Sequence, residues 1–130
     1  MQIEKVSFPE PWPEVYFKKL YKEHPNDFLV ADFAGKVVGY ILGYVKSNKS
    51  GSIKTLAVDS NYRRRGIGKE LVNFIIQRLK EKSVKEVFLH TRTKNRTASS
   101  FYKRLGFRII KIVKKYYGNG DDAYLMTKKI

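Results

Sequence analysis

Arg63-Arg64-Arg65-Gly66-Ile67-Gly68-Lys69 separates two stretches of different hydrophobic period, and its reading decides the fold. Before it, Ile53 to Val58 is a short apolar and β-branched run of strand character. After it, Ile67, Leu71, Ile75 and Leu79 recur every four residues, with Val72 and Ile76 widening the stripe, which predicts an amphipathic helix from Gly66 to Glu81. A further strand, Val87 to Arg92, follows. Strand, helix and strand in that order form a crossover that makes the two strands parallel. The loop therefore opens a helix at the end of a strand. A helix start exposes up to about four unpaired N–H groups and roughly half a positive charge of dipole. Gly66 and Gly68 have no side chain to block a phosphate from those amides, and the arginines add planar donors matched to phosphate oxygens. Arg63, Arg64, Arg65, Gly66, Ile67, Gly68 and Lys69 form the candidate pyrophosphate loop. A Walker A reading fails because Gly68-Lys69 is followed by Glu70, and the dinucleotide fingerprint fails because Leu71 stands where its third glycine belongs.

Outward from the loop, Phe28 to Phe33 and Val37 to Tyr44 flank Ala34-Gly35-Lys36 as a hairpin, and the polar turn Lys46 to Gly51 leads into Ile53 to Val58. Three consecutive antiparallel strands follow. Further upstream, the segment through Ser7 reads as a short helix with Ile3 and Val6 on one side. Pro9, Pro11 and Pro13 then impose an extended loop carrying Phe8 and Trp12, and a second helix is expected from Pro13 to about Glu23 with Tyr16, Phe17, Leu20 and Tyr21 on one face. Downstream, Asn95 stands where an N-cap would start a helix whose buried face is Ala98, Phe101, Tyr102 and Leu105, and Gly106 stops it. Phe107 to Tyr117 and Ala123 to Lys128 complete a terminal hairpin around Gly118-Asn119-Gly120-Asp121. The expectation is a single domain over residues 1–130. Its class is α+β: a mixed, mostly antiparallel twisted sheet flanked by helices, with a central β-α-β crossover.

With 130 residues and 15.2 kDa there is room for one core. The absence of cysteine excludes disulfides, thiolate zinc sites and a cysteine nucleophile. His24 and His90 are the only histidines, and no carboxylate stands at ligand spacing, so no metal is expected. No run approaches the roughly 18 apolar residues of a membrane span, and no apolar signal core follows the N-terminus. The expectation is a cytoplasmic protein without a membrane partner. The net charge of +15 fits either a lysine-rich solvated surface, a polyanionic partner or a negatively charged cofactor. The basic residues run along the whole chain with no basic tail, so sequence-specific nucleic-acid binding is not expected.

With the loop placed, the sequence resembles the GNAT acetyltransferases, whose signature Arg/Gln-x-x-Gly-x-Gly/Ala is matched by Arg63, Gly66 and Gly68. Asn95, Ala98, Tyr102 and Gly106-Phe107 resemble the family's Asn-x-x-Ala-x-x-x-Tyr-x-x-x-Gly-Phe segment. Tyr116-Tyr117 and Asp122-Ala123-Tyr124-Leu125-Met126 resemble the branch of RimI and the NatE-like protein N-terminal acetyltransferases, and Phe8-Pro9 and Trp12 look like that branch's first substrate loop. The resemblance implies acetyl-CoA as co-substrate and a protein or peptide N-terminus as acceptor, ribosomal or nascent chains and ribosome association included. It implies that backbone groups of Leu56, Ala57 and Val58 hold the pantetheine arm, that amides from Arg64 to Lys69 hold the pyrophosphate, and that Asn95 touches the cofactor arm. Tyr102 would protonate the departing thiolate, and Phe8, Pro9, Tyr116 and Tyr117 would wall the peptide N-terminus. Against the family pattern, the first strand is expected to be missing, or to lie upstream of Met1. His90 stands where RimI-like enzymes carry glutamate, as in the NatE-like members, where the histidine serves as base.

The chemistry narrows the base. An α-amine of pKa about 7.8 is roughly 10–15% neutral at pH 7, whereas a lysine of pKa about 10.4 is only about 0.04% neutral. A weak base of imidazole type therefore suffices for an N-terminus. Phe88, His90 and Arg92 share one face of their strand. His90 is either that base or a structural histidine, with Tyr116 or backbone-held water as the alternative base. Tyr102 is either the acid or a core residue. Tyr116 and Tyr117 would alternate faces in a strand, so one of them at most could enter a cleft without a bulge. Phe8 and Trp12 are either core anchors or ligand contacts. Two other readings stay open: acetylation of lysine side chains, polyamines or other small amines, and a non-catalytic acetyl-CoA-binding or nucleic-acid-binding module.

Overall fold

Alternate apolar residues need a face to bury, and in the computed structural model one sheet supplies it. The model describes residues 3–7, 15–21, 26–33, 36–62 and 66–130, with side chains at 30–31, 36–62 and 66–130. The strands are β1 (Ile3–Ser7), β2 (Val15–Tyr21), β3 (Asn26–Phe33), β4 (Lys36–Ser47), β5 (Ser50–Val58), β6 (Glu86–Arg92), β7 (Arg108–Val113) and β8 (Ala123–Lys129). Helices α1 (Ile67–Glu81) and α2 (Arg96–Arg104) flank β6 in sequence. The sheet order is β1-β2-β3-β4-β5-β6-β8-β7, antiparallel throughout except for β5 and β6.

The mixed sheet, the crossover and both helices after residue 60 are as the sequence predicts. The two helices expected before the first hairpin are not: Ile3–Ser7 and Val15–Tyr21 are strands, so strands stand where the first one was expected to be missing. The physical reason is pairing. Val15, Tyr16, Phe17 and Tyr21 are strand formers by shape, and every residue of β2 finds a ladder partner in β3, from Val15↔Phe33 to Tyr21↔Asp27. The proline loop between β1 and β2, with Phe8, Pro9 and Trp12, lies outside the described residues.

The core lies between the sheet and α1. Ile67, Leu71, Val72, Ile75 and Leu79 of the helix are buried against Ala31, Val38, Ile41 and Ile53. On β6, Val87, Leu89 and Thr91 are buried, whereas Phe88, His90 and Arg92 stand on the opposite face, partly or well exposed. That alternation follows from the strand's period of two, and it fixes where the site is.

Candidate active site

The site begins where the parallel pairing stops. β5 and β6 are matched at Ser50↔Glu86, Gly51↔Val87 and Ser52↔Phe88, and no further. From Ile53 onward β5 keeps its partner β4, while β6 continues beside β8 as far as Arg92↔Ala123. The two strands thus diverge, and backbone N–H and C=O groups of β5 lose their partner on that side. Such groups take up any extended chain offering amides, because buried backbone polar groups must be paired. A cleft of about 240 Å³ opens there, lined among others by Leu56, His90, Asn95, Tyr102 and Tyr117. Ala57 and Val58 continue the same strand toward the helix start.

At that start Gly66 adopts φ +80°, a left-handed turn that favours glycine, and no side chain caps α1. The first-turn N–H groups therefore have no acceptor within the helix. Gly68 has a packing duty as well: a Cβ there would stand 3.2 Å from Cζ of Phe101, so its absence lets α2 approach. Arg63, Arg64 and Arg65 lie outside the described residues. Asn95 caps α2 as predicted, its side-chain oxygen accepting from the Ala98 N–H at 3.0 Å. A side-chain oxygen engaged in this way stabilises the helix that carries Tyr102.

Tyr102 is 93% buried, packed edge-on to Phe101 and Phe107, and its phenol is pushed well up by burial. It stays protonated at neutral pH and can give a proton. His90 is held below the ordinary imidazole value, first by partial burial and then by the charge of Lys46, so it is neutral and can accept one. Its ring is stacked on Tyr116 at 4.1 Å between centroids and 11° between planes.

The tyrosine pair departs from expectation in a useful way. β7 ends at Val113, so Tyr116 and Tyr117 are in a loop and need not alternate. Lys115 turns the chain at φ +52°, a conformation held by Asp122, whose Oδ1 accepts the Lys115 N–H at 2.9 Å. Both rings thereby reach the site: Tyr116 covers His90, and Tyr117 lines the cleft with its phenol raised by burial. Four residues went unassigned in the sequence reading: Lys46, Arg92, Asp121 and Asp122. Arg92 carried a signal in its place on the face of His90 and Asp122 in the Asp122-Ala123 segment, whereas Lys46 and Asp121 carried none. A second cleft of about 340 Å³ on that face runs from His90 to Lys46 and Lys111. Among the described residues no group of three or more His, Cys, Asp or Glu is arranged to hold a metal, and no helix is long and apolar enough to cross a membrane.

Comparison with known proteins bears on the family and the fold. The model of the acetyltransferase (GNAT) family matches residues 1–107. An N-alpha-acetyltransferase of Sulfurisphaera tokodaii is 37% identical, over 98% of this chain and 83% of its own. Among solved structures, Arabidopsis thaliana Naa50 in complex with the bisubstrate analogue CoA-Ac-MVNAL superposes with a TM-score of 0.73 at 30% identity, covering 79% of this chain and 72% of the other. The ribosomal-protein-S18-alanine N-acetyltransferase of Escherichia coli gives a TM-score of 0.74 at 27% identity, over 84% of this chain and 72% of the other.

Proposed function

The chain belongs to the GNAT family of acetyl-CoA-dependent acetyltransferases, and from that premise we propose that it acetylates the N-terminal α-amine of proteins. What supports this reading is the meeting of a neutral imidazole and a protonated phenol on one cleft, where two parallel strands separate. Acetyl-CoA supplies an activated acetyl thioester. The unpaired edge of β5 at Leu56, Ala57 and Val58 holds its amide-bearing arm, and the amides from Arg64 to Lys69 hold its pyrophosphate. Asn95 borders the arm. His90 takes the proton that the amine must lose, directly or through one water, and the hydroxyl of Tyr102 donates to the thiolate as the C–S bond breaks. Tyr116 and Tyr117 wall the peptide, a role that the family resemblance extends to Phe8, Pro9 and Trp12.

An N-terminal amine suits this base, since a lysine would reach it almost fully protonated. Ribosomal and nascent-chain acceptors suit a chain of net charge +15. The deciding experiment is acetyl-CoA turnover against a peptide library with free and with blocked N-termini. Turnover confined to free N-termini is the expected outcome. Activity only on blocked, lysine-containing peptides or on polyamines would replace the acceptor. Salt-dependent binding of RNA or DNA without CoA release would replace the function by that of a binding module.

A further inference from the structure

We propose that Asp121 is a positioning residue that holds the acceptor-side aromatic pair against His90, so that one partly buried loop carboxylate governs the state of the base. This rests on the acceptor reading above only in its kinetic arm. The chain of contacts is continuous. Asp121 Oδ2 accepts from Arg92 Nε at 3.2 Å and from Asn119 Nδ2 at 3.0 Å, and Oδ1 accepts from Lys94 Nζ at 3.1 Å. The guanidinium so fixed lies 3.9 Å from the ring centroid of Tyr117. Tyr117 stands edge-on to Tyr116 at 5.0 Å, and Tyr116 lies flat on the imidazole at 4.1 Å. The backbone closes the same loop: the Tyr117 N–H donates to the Asp121 carbonyl at 3.1 Å.

Each link has a physical reason. Arg92 is half exposed, and a free arginine there would sample many rotamers. A carboxylate that accepts from its Nε leaves the guanidinium plane free to cover the phenol face, where the ring quadrupole attracts it. Tyr116 is 47% exposed, so packing alone does not fix it; its position depends on Tyr117 and His90. The cover it gives His90 is part of what keeps water from the ring. The charged and titratable groups around His90 are Lys46 from β4, Lys54 from β5, Lys111 from β7, Tyr102 from α2, Tyr116 and Tyr117 from the loop, and Arg92 from its own strand.

The direction of the effect separates this idea from simple charge. Removing a negative charge from the neighbourhood would push an imidazole pKa down. Releasing Tyr116 rehydrates the ring and moves it up, toward its ordinary value of 6.5. Burial stands ahead of charge among the causes of the His90 shift, and Asp121 is not among them. The upward shift therefore prevails.

The test is an NMR titration of the His90 imidazole in Asp121→Ala, Asp121→Glu and Arg92→Lys, with His24→Gln in the background so that one histidine signal remains. Both Asp121→Ala and the charge-conserving Arg92→Lys, which loses the Nε donor and the planar guanidinium, should raise the His90 pKa toward 6.5. They should also raise KM for the acceptor peptide about tenfold with KM for acetyl-CoA unchanged, and Asp121→Glu should restore both readouts. An unchanged or lowered His90 pKa in a folded variant overturns the proposal, as does a peptide KM effect without a titration shift. Should Asp121→Ala unfold, Arg92→Lys decides, because it keeps the positive charge beside His90 and leaves the Asp121 contacts with Asn119 and Lys94 in place, so that an upward shift cannot come from lost charge. If the wild-type protein acetylates no peptide, the acceptor reading fails while the titration still decides the role of Asp121.

Discussion

The His90 ring is bounded by three different groups: Tyr116 stacked on one face, the Lys46 ammonium nearby in space, and the diverging edge of β6 behind it. Its lowered pKa has a definite consequence for rate. The base works only when neutral, so kcat/KM should fall as pH drops through a value below 6.5. Lys46→Met removes a charge that opposes protonation, and the acid limb should move up toward 6.5; a limb that stays put or moves down in a pH–rate profile would exclude Lys46 as a cause. His90→Ala should lower kcat at neutral pH by about 100-fold, in the range of a lost general base, and an unchanged kcat with a native circular dichroism spectrum would make His90 structural. Tyr102→Phe keeps the packing against Phe101 and Phe107 but removes the donor. Single-turnover rates should fall by about 100-fold, and full turnover with chemistry rate-limiting would show that another group protonates the thiolate.

Among the elements, α1 carries the core and the loop after β7 carries the aromatic pair beside His90, and they should fail differently. Ile75 is fully buried on the sheet-facing stripe, so Ile75→Ala should cost about 2–5 kcal/mol, seen as a lower denaturant midpoint. Asp122→Ala should leave the midpoint nearly unchanged yet release the Lys115 turn, seen as faster amide exchange at Lys115. The Asp122 carboxyl is held low, first by the Lys115 N–H and then by Lys114. Its contribution to loop order is thus present above the ordinary carboxylate pKa and is lost as pH falls through its lower folded value. These contacts explain why the loop was only half legible: the pattern Tyr116-Tyr117 to Asp122-Ala123 was visible, but nothing in it says that β7 stops at Val113. A single positive φ, made tolerable by a carboxylate seven residues on, ended the strand and turned both tyrosines to the site.

For the whole molecule, a net charge of +15 favours the approach of a polyphosphate-bearing co-substrate. Raising ionic strength from 0.1 to 1 M shortens the screening length from about 10 Å to about 3 Å, so KM for acetyl-CoA should rise with salt more steeply than KM for an uncharged-side-chain peptide. Equal slopes would show that the charge serves solubility alone. By itself the sequence determined the crossover, the helix opening at Gly66, the N-cap at Asn95 and the face shared by Phe88, His90 and Arg92, because each depends on local backbone geometry and a period set by nearby residues. It did not determine the state of β1 and β2, which pair with each other and, through β2, with β3, nor the end of the β5–β6 ladder at Ser52↔Phe88. It was equally silent on the stack of Tyr116 over His90 and on the carboxylate that holds it. Beyond the shorter β1–β2 and β2–β3 pairs, those features join residues 26 to 36 positions apart, from His90–Tyr116 to Ser52↔Phe88, and no local propensity encodes a contact that exists only once the sheet has closed on α1 and the loop has folded back across its edge.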